Sequence, residues 1–221
     1  MAKIKRLSLT SPVGRAVFPH LNTPDTMWDK EGAYKVDLNP SDPEEAKALL
    51  SKLEELHKMA IEGVAATEDT PGLDPRSKTA WDGAVAKGTE IDIQALPVKE
   101  QDEEFGGGLL FSFKMKAKGR TRGGETFDRA PRLFDATGNP CDEFIGTGSI
   151  IRVSFEPNLY YTPTIGAGVS LRLQAVQIIK LGGAGRSAED FGFDAVDGFS
   201  IEDADNFDAA EGETADGYDF G

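Results

Sequence analysis

Apolar and polar residues alternate along two long parts of the chain, and this alternation predicts β-strands. Before residue 41 it runs through KIKRLSLT, GRAVFPHL and GAYKVDL, and after residue 88 through EIDIQALPV, LLFSFKMKAK, GSIIRVSFEP and GVSLRLQAVQIIKL. A period of two residues is typical of a strand with one buried face. Glycine- and proline-rich turn sequences separate the runs. Many short strands joined in this way indicate a small barrel rather than a parallel α/β sheet.

The period changes once, and there it predicts a helix. The sequence SDPE at 41–44 is a typical helix start, with a capping side chain followed by a proline in the first turn. Apolar residues then recur at helical spacing until Gly63, which predicts one amphipathic helix of about 20 residues. Residues 64–88 are rich in Thr, Asp, Pro and Gly and are interpreted as an irregular insertion. The predicted class is therefore mainly β, a barrel with one amphipathic helix.

The negative charge of the chain is concentrated in one segment. Of the 38 acidic residues, 12 lie in residues 187–221, which contain none of the 24 Lys and Arg residues. The whole chain has a net charge of −14, whereas residues 1–186 carry a net charge of only −2. Such an acidic segment cannot bury enough apolar surface to offset its ordering entropy, so residues 187–221 are predicted to be a disordered tail. Residues 1–186 are predicted to form one folded domain with a basic groove that suits a tethered polyanion.

The sequence holds few residues of the kinds that build catalytic or metal sites. Cys141 is the single cysteine, which excludes an internal disulfide and fits a reducing cytoplasm. His20 and His57 are the two histidines, and neither has a second His or Cys at ligand spacing. No phosphate-binding GxxxxGKS or GxxxxGKT motif occurs. We therefore expect no enzyme, no metal or cofactor, no secretory signal and no membrane span, and a location in the cytoplasm.

One predicted strand, within LLFSFKMKAKGRTRG at residues 109–123, carries a row of cations. The basic side chains that share one face while the strand continues are Lys114, Lys116, Lys118, Arg120 and Arg122. Neighbours in this row are about 7 Å apart, close to the phosphate repeat of a single nucleic-acid strand. With Arg129 and Arg132, residues 109–134 hold seven basic and two acidic residues, a net charge of +5. Lysines on an edge strand can also simply oppose aggregation, but five cations on one face favour phosphate binding.

Binding of single strands also needs exposed rings on which bases can stack. Tyr160 and Tyr161 end a predicted strand before a Thr-Pro turn, so one of the two should face outward. Trp28, in the polar loop NTPDTMWDKEG, is the next candidate. Arg152 and Arg172 lie on the polar side of late strands, where they could extend a groove or form surface ion pairs. Further ring candidates are Phe18, His20, Tyr34 and Phe134.

Several stretches of the chain are similar, in order and spacing, to one family. They are GRAVFPHLNTPD with GAYKVDL, EEFGGGLLFSFKMKAKGRTR, APRLFDATGNP, FIGTGSIIRVSFEPNLYY and GVSLRLQAVQIIKLGG, and together they cover most of residues 14–183. With the acidic tail, they resemble the single-stranded DNA-binding proteins of bacteriophages, which are OB-fold replication proteins. The resemblance implies an OB-fold-like Greek-key barrel whose cationic face binds single-stranded DNA without sequence preference, in the cytoplasm of the host cell.

The resemblance also implies two roles for the tail. It competes with DNA for the cationic groove, and it recruits phage replication proteins such as the polymerase and the helicase/primase, with recombination and repair as related roles. The residues implied in partner binding are Asp216, Tyr218, Asp219 and Phe220. Two alternatives stay open: an acidic-tailed adaptor whose barrel binds no nucleic acid, and a strand-annealing recombination factor. The sequence also leaves open whether the chain forms a homodimer.

Overall fold

The computed structural model describes residues 7–27, 30–103, 106–120 and 123–182. These residues form ten strands and two helices. In chain order the elements are β1 (Leu9–Thr10), β2 (Gly14–Asp25), β3 (Ala33–Pro40), α1 (Pro43–Ile61), α2 (Pro75–Ala86), β4 (Val98–Glu100), β5 (Leu109–Lys116), β6 (Lys118–Arg120), β7 (Thr126–Asp128), β8 (Arg132–Phe134), β9 (Ile150–Thr162) and β10 (Gly166–Lys180).

Five of the strands close into a barrel. β2 pairs with β3, β3 with β5, β5 with β10 and β10 with β9, and β9 returns to β2 at Gly14 and Arg15. The pairing of β5 with β10 is parallel, and the other four are antiparallel. The order around the barrel is therefore β2, β3, β5, β10, β9, so that β10, the last of these strands in the chain, lies between β5 and β9. This is the Greek-key arrangement of the OB-fold, so the predicted mainly β, OB-fold-like barrel is confirmed.

The barrel interior is filled by the inward residues of these strands. Phe111, Phe113 and Phe155 are each at most 1% exposed, and the ring centroids of Phe113 and Phe155 lie 4.9 Å apart at an interplanar angle of 58°. Tilted aromatic pairs of this kind stabilise a core beyond the burial of their area. Because side chains alternate across a strand, each buried ring leaves its neighbours along the chain on the outer surface of the barrel.

Helix α1 begins where the sequence predicts. The carboxylate of Asp42 accepts hydrogen bonds from the backbone N–H groups of Glu44 at 2.8 Å and Glu45 at 3.4 Å, and Pro43 occupies the first turn. These bonds satisfy two of the N–H groups that a helix end leaves without a partner. The helix packs on β9 and β10. Its buried residues are Ala46, Leu49, Leu53, Leu56 and Ala60.

The interpretation of residues 64–88 as an irregular insertion is wrong, because α2 spans Pro75–Ala86 within it. Asp74 caps this helix as Asp42 caps α1, accepting hydrogen bonds from the N–H groups of Arg76 at 2.8 Å and Ser77 at 3.0 Å. The helical period is weak in the sequence because only Ser77 and Ala84 of this helix are buried. The cap alone, an aspartate followed by proline, could have indicated the helix.

Trp81 attaches α2 to the end of α1. Its Nε1 donates a hydrogen bond to the backbone carbonyl of Ile61 at 3.3 Å. Its ring lies against Gly63, where an added Cβ would come within 2.4 Å of a ring carbon. Gly63 also has a φ of +69°, a conformation that glycine adopts without steric cost. The turn after α1 therefore requires glycine for two separate reasons.

The predicted acidic tail, with Asp216, Tyr218, Asp219 and Phe220, lies outside the described residues. The division of the chain into a domain at 1–186 and a tail at 187–221 stays a prediction. Among the helices of the described residues, none is long and apolar enough to cross a membrane.

Candidate nucleic-acid interface

The predicted alternation of β5 is confirmed along its charged half. Phe111, Phe113 and Met115 are buried, whereas Lys114 and Lys116 between and after them are exposed. The pattern continues past the end of the strand, where Ala117 is buried and Lys118 is exposed. Lys114 and Lys116 therefore project from the outer surface of β5 about 7 Å apart, and Lys118 follows them as the first residue of β6.

The strand register adds cations to this row from both neighbouring strands. Lys114 pairs with Lys35 of β3 on one side and with Arg172 of β10 on the other. Paired residues on adjacent strands point to the same face, about 5 Å apart. On the far side of β3, Lys35 pairs in turn with His20 of β2. Lys35, Lys114, Lys116, Lys118 and Arg172 together are called the cationic face below.

Two members of the cationic face form ion pairs with acidic residues of the neighbouring strand. Lys35 Nζ lies 2.5 Å from a carboxylate oxygen of Asp25, and Arg172 lies 3.9 Å from a carboxylate oxygen of Glu156 on β9. Lys114, Lys116 and Lys118 form no ion pair with any residue that the structure describes. Within the cationic face, these three lysines of the predicted row are thus available to an external anion. The sequence left open whether Arg172 extends a groove or forms a surface ion pair. Arg172 lies on the cationic face and forms an ion pair with Glu156.

A hairpin of β6 and β7 follows the lysines. Lys118 pairs with Asp128 in its register, and Phe127 faces Gly119. The guanidinium of Arg129 lies 4.9 Å from the centre of the Phe127 ring, a cation–π contact. An added Cβ on Gly119 would meet both of these side chains at 2.5 to 2.6 Å. Glycine at this position lets Phe127 and Arg129 pack over the hairpin backbone.

The other predicted arginines lie on different strands. Arg132 is exposed on β8, which pairs with β10 at Ala175, and it lines a groove of about 650 Å³ beside Pro131 and Cys141. Arg152 lies on β9 and lines a separate cleft with Lys52 of α1. The structure does not bring Arg152 to the cationic face. Arg122 and the side chain of Arg120 lie outside the described residues.

The two predicted tyrosines face opposite ways, as expected. Tyr160 is half-buried on the outer side of β9, where burial raises the pKa of its hydroxyl and its ring lies against Gly168. Tyr161 is 4% exposed and belongs to the core. The prediction of Tyr161 as a DNA-binding residue is therefore wrong, because stacking on a base would require it to leave the barrel interior. Trp28 lies outside the described residues.

Three phenylalanines of the described residues are exposed. Phe18 on β2 is 72% exposed, Phe144 is 62% exposed and Phe127 is 44% exposed. Phe144 sits beside β2, because Asn22 binds the backbone of Glu143 and Ile145 on either side of it. Phe18 is one of the ring candidates from the sequence. Period-two patterning could not single out Phe127 and Phe144, since it predicts phenylalanine at inward positions.

Strand order and outer surface together define an OB-fold barrel with a cationic face. Among solved structures, the chain is similar to gp2.5, a single-stranded DNA-binding protein encoded by bacteriophage T7, with a TM-score of 0.62 and 22% sequence identity. The match covers 89% of this chain and 99% of that one. The predicted resemblance to the phage proteins is thus confirmed for the fold.

A second similar structure is the single-stranded DNA-binding protein from bacteriophage Enc34 in complex with ssDNA. Its TM-score is 0.49 at 13% identity, over 80% of this chain and 88% of that one. A scan against protein-family models finds no match, and a search of curated proteins finds none either.

Proposed function

We propose that this protein binds single-stranded DNA without sequence preference through its cationic face. The observation that supports this most is the row of exposed lysines, Lys114, Lys116 and Lys118, without ion-pair partners among the described residues. Like charges at this spacing repel one another, and a phosphate backbone along β5 would offset the repulsion. The protein gp2.5, which has the same fold, is a single-stranded DNA-binding protein.

Lack of sequence preference follows from the chemistry of the face. Lysine ammonium groups bind phosphate as point charges, and phosphate contacts carry no sequence information. Each phosphate that the protein neutralises releases counterions, so the affinity should fall with salt. For single strands, the slope of log K against log salt is about −0.7 for each phosphate contacted.

The test is a mobility-shift titration of the triple variant K114A/K116A/K118A on single-stranded DNA. The matched control is K47A/K52A/K58A, which removes the same charge from exposed positions of α1. We expect the β5 variant to lose at least tenfold in affinity and its salt slope to become shallower by about 2, the contribution of three phosphates. The α1 variant should bind like the unchanged protein. Equal affinities of the two variants would overturn the proposal.

The proposal extends to the acidic tail. Residues 187–221 compete with DNA for the cationic face and bind replication proteins. This is supported by the 12 acidic residues of the tail without a single Lys or Arg, and by the three lysines that have no ion-pair partner among the described residues and could bind such a polyanion. A tethered competitor acts at high effective concentration, so even weak contacts can compete with DNA.

A further inference from the structure

The backbone of Phe18 adopts a conformation that a phenylalanine rarely takes. Among the described residues other than glycine, only Phe18 has a positive φ, at +46°. For a bulky side chain this is a strained conformation. Its ring is nevertheless 72% exposed, so burial of the ring does not offset the strain. Strain of this kind persists where the surrounding structure imposes it, commonly at functional sites.

The strain comes from a β-bulge in β2. Val17 pairs with Asp37 and His20 pairs with Lys35, so Phe18 and Pro19 together oppose a single residue of β3. In bulges with a left-handed first residue, that residue is usually glycine. Here Phe18 is that first residue, and its side chain is exposed to solvent.

The bulge is held in place from both sides. Before it, the backbone of Ala16 exchanges hydrogen bonds with Ser149 at 2.8 Å and Gly148 at 2.9 Å. After it, Leu21 is 2% exposed and anchors the strand in the core. The ring of Phe18 therefore projects from a backbone that is held on both sides of the bulge.

The backbone of the bulge lies beside the cationic face. The bulge lies next to Lys35 in the register of β2 and β3, and Lys35 lies next to Lys114. Two strand spacings, about 10 Å, thus separate the backbone of the bulge from that of β5. Phe127, by contrast, already has Arg129 over its ring, whereas Phe18 has no aromatic or cation–π contact with the described residues.

We infer that Phe18 is a base-stacking residue, and that the bulge of β2 presents its ring to a nucleotide whose phosphate lies on the β5 lysines. This inference rests on the proposed function. The strand would lie with its sugar-phosphate side on β5 and its bases towards β2. Every base has a π-face, so a stacking ring adds affinity without choosing a sequence.

The experiment compares Phe18→Ala with the unchanged protein on two ligands, an oligothymidine and an abasic strand of the same length. We expect Phe18→Ala to weaken binding of oligothymidine about tenfold to a hundredfold, with an unchanged salt slope because no phosphate contact is lost. Binding of the abasic strand should not change. The control Val85→Ala removes an exposed apolar side chain from α2 and should have no effect on either ligand.

A second variant, Phe18→Gly, separates stacking from an effect on the fold. Glycine accepts the positive φ, so Phe18→Gly should melt at a higher temperature than Phe18→Ala while binding oligothymidine equally weakly. Equal weakening on both ligands, or normal binding of oligothymidine by Phe18→Ala, would overturn the inference and leave the proposed function standing. Failure of the unchanged protein to bind either ligand would overturn both.

Discussion

Lys35 and Asp25 form an ion pair of 2.5 Å beside Lys114 on the outer surface of the barrel. The hydrogen bond from Lys35, with a second from the backbone N–H of Met27 at 2.9 Å, lowers the pKa of the Asp25 carboxyl. Asp25 is therefore ionised at neutral pH. It places a negative charge within the proposed DNA-binding surface, where it competes with phosphate for Lys35.

Asp25→Asn should tighten the binding of single-stranded DNA several-fold at low salt. The substitution frees Lys35 and removes a charge that repels phosphate. The salt slope should steepen by about 0.7, the contribution of one more phosphate contact. Fluorescence anisotropy between about 50 and 200 mM salt measures both quantities. Asp82→Asn, which breaks the pair with Lys78 on α2, is the control and should not change the affinity. Weaker binding by Asp25→Asn would show that Asp25 serves to position Lys35.

Asp135 should make the fold sensitive to acid. Its carboxylate accepts hydrogen bonds from the N–H and hydroxyl of Thr137 and from the N–H of Asn139, at 2.8 to 2.9 Å, and these lower its pKa to about 2. A lowered pKa in the folded state means that the carboxylate stabilises the fold above its unfolded pKa, near 4. This stabilisation is lost as the pH falls through the folded pKa.

Asp135→Asn should accordingly lower the melting temperature at pH 7. The difference from the unchanged protein should shrink as the pH falls from about 4 towards 2, because protonation removes from the unchanged chain the same negative charge that the substitution removes. Thermal melts followed by circular dichroism across this range provide the measurement. A difference that stays constant down to pH 2 would mean that the charge of Asp135 does not stabilise the turn.

Tyr161→Ala should destabilise the barrel without changing its affinity for DNA. The ring is 4% exposed, and removal of a buried aromatic side chain typically costs about 3 kcal/mol or more. Urea unfolding measures the loss, and titration of the folded protein measures the affinity. If Tyr161→Ala weakened binding at full stability, the ring would have to leave the core in the complex.

Deletion of residues 187–221 should tighten binding of single-stranded DNA, most strongly at low salt. Without the tail, its 12 acidic residues no longer compete for Lys114, Lys116 and Lys118. Competition by a tethered polyanion weakens as salt screens it. Parallel titrations of the full chain and of residues 1–186 at two salt concentrations test this. Unchanged or weaker affinity of the shortened chain would contradict competition by the tail.

Features that depend on residues close together in the chain could be predicted from the sequence. The exposure of Lys114 and Lys116 follows from a period of two, and the start of α1 from its cap and proline. The orientation of Tyr160 and Tyr161 could be predicted only in part. The period of two shows that they point to opposite faces, but it does not show which of them is buried. Which face of the strand is buried depends on how the whole strand packs.

Features that depend on strand pairing could not be predicted. Lys35, Lys114 and Arg172 are far apart in the chain and meet only through the register of β3, β5 and β10. The bulge at Phe18 arises because β2 has one residue more than β3 between two paired positions. No local pattern encodes such a mismatch, because it depends on which strand lies alongside.

The parallel pairing of β5 with β10 gives the order in which a growing chain can acquire the proposed binding surface. Lys114 is synthesised long before Arg172, yet its second neighbouring strand, β10, is the last barrel strand to be made. A nascent chain on the ribosome would carry the lysines on an open, unfinished sheet. The proposed recognition of a nucleic-acid strand therefore belongs to the completed domain and not to the segment that holds the lysines.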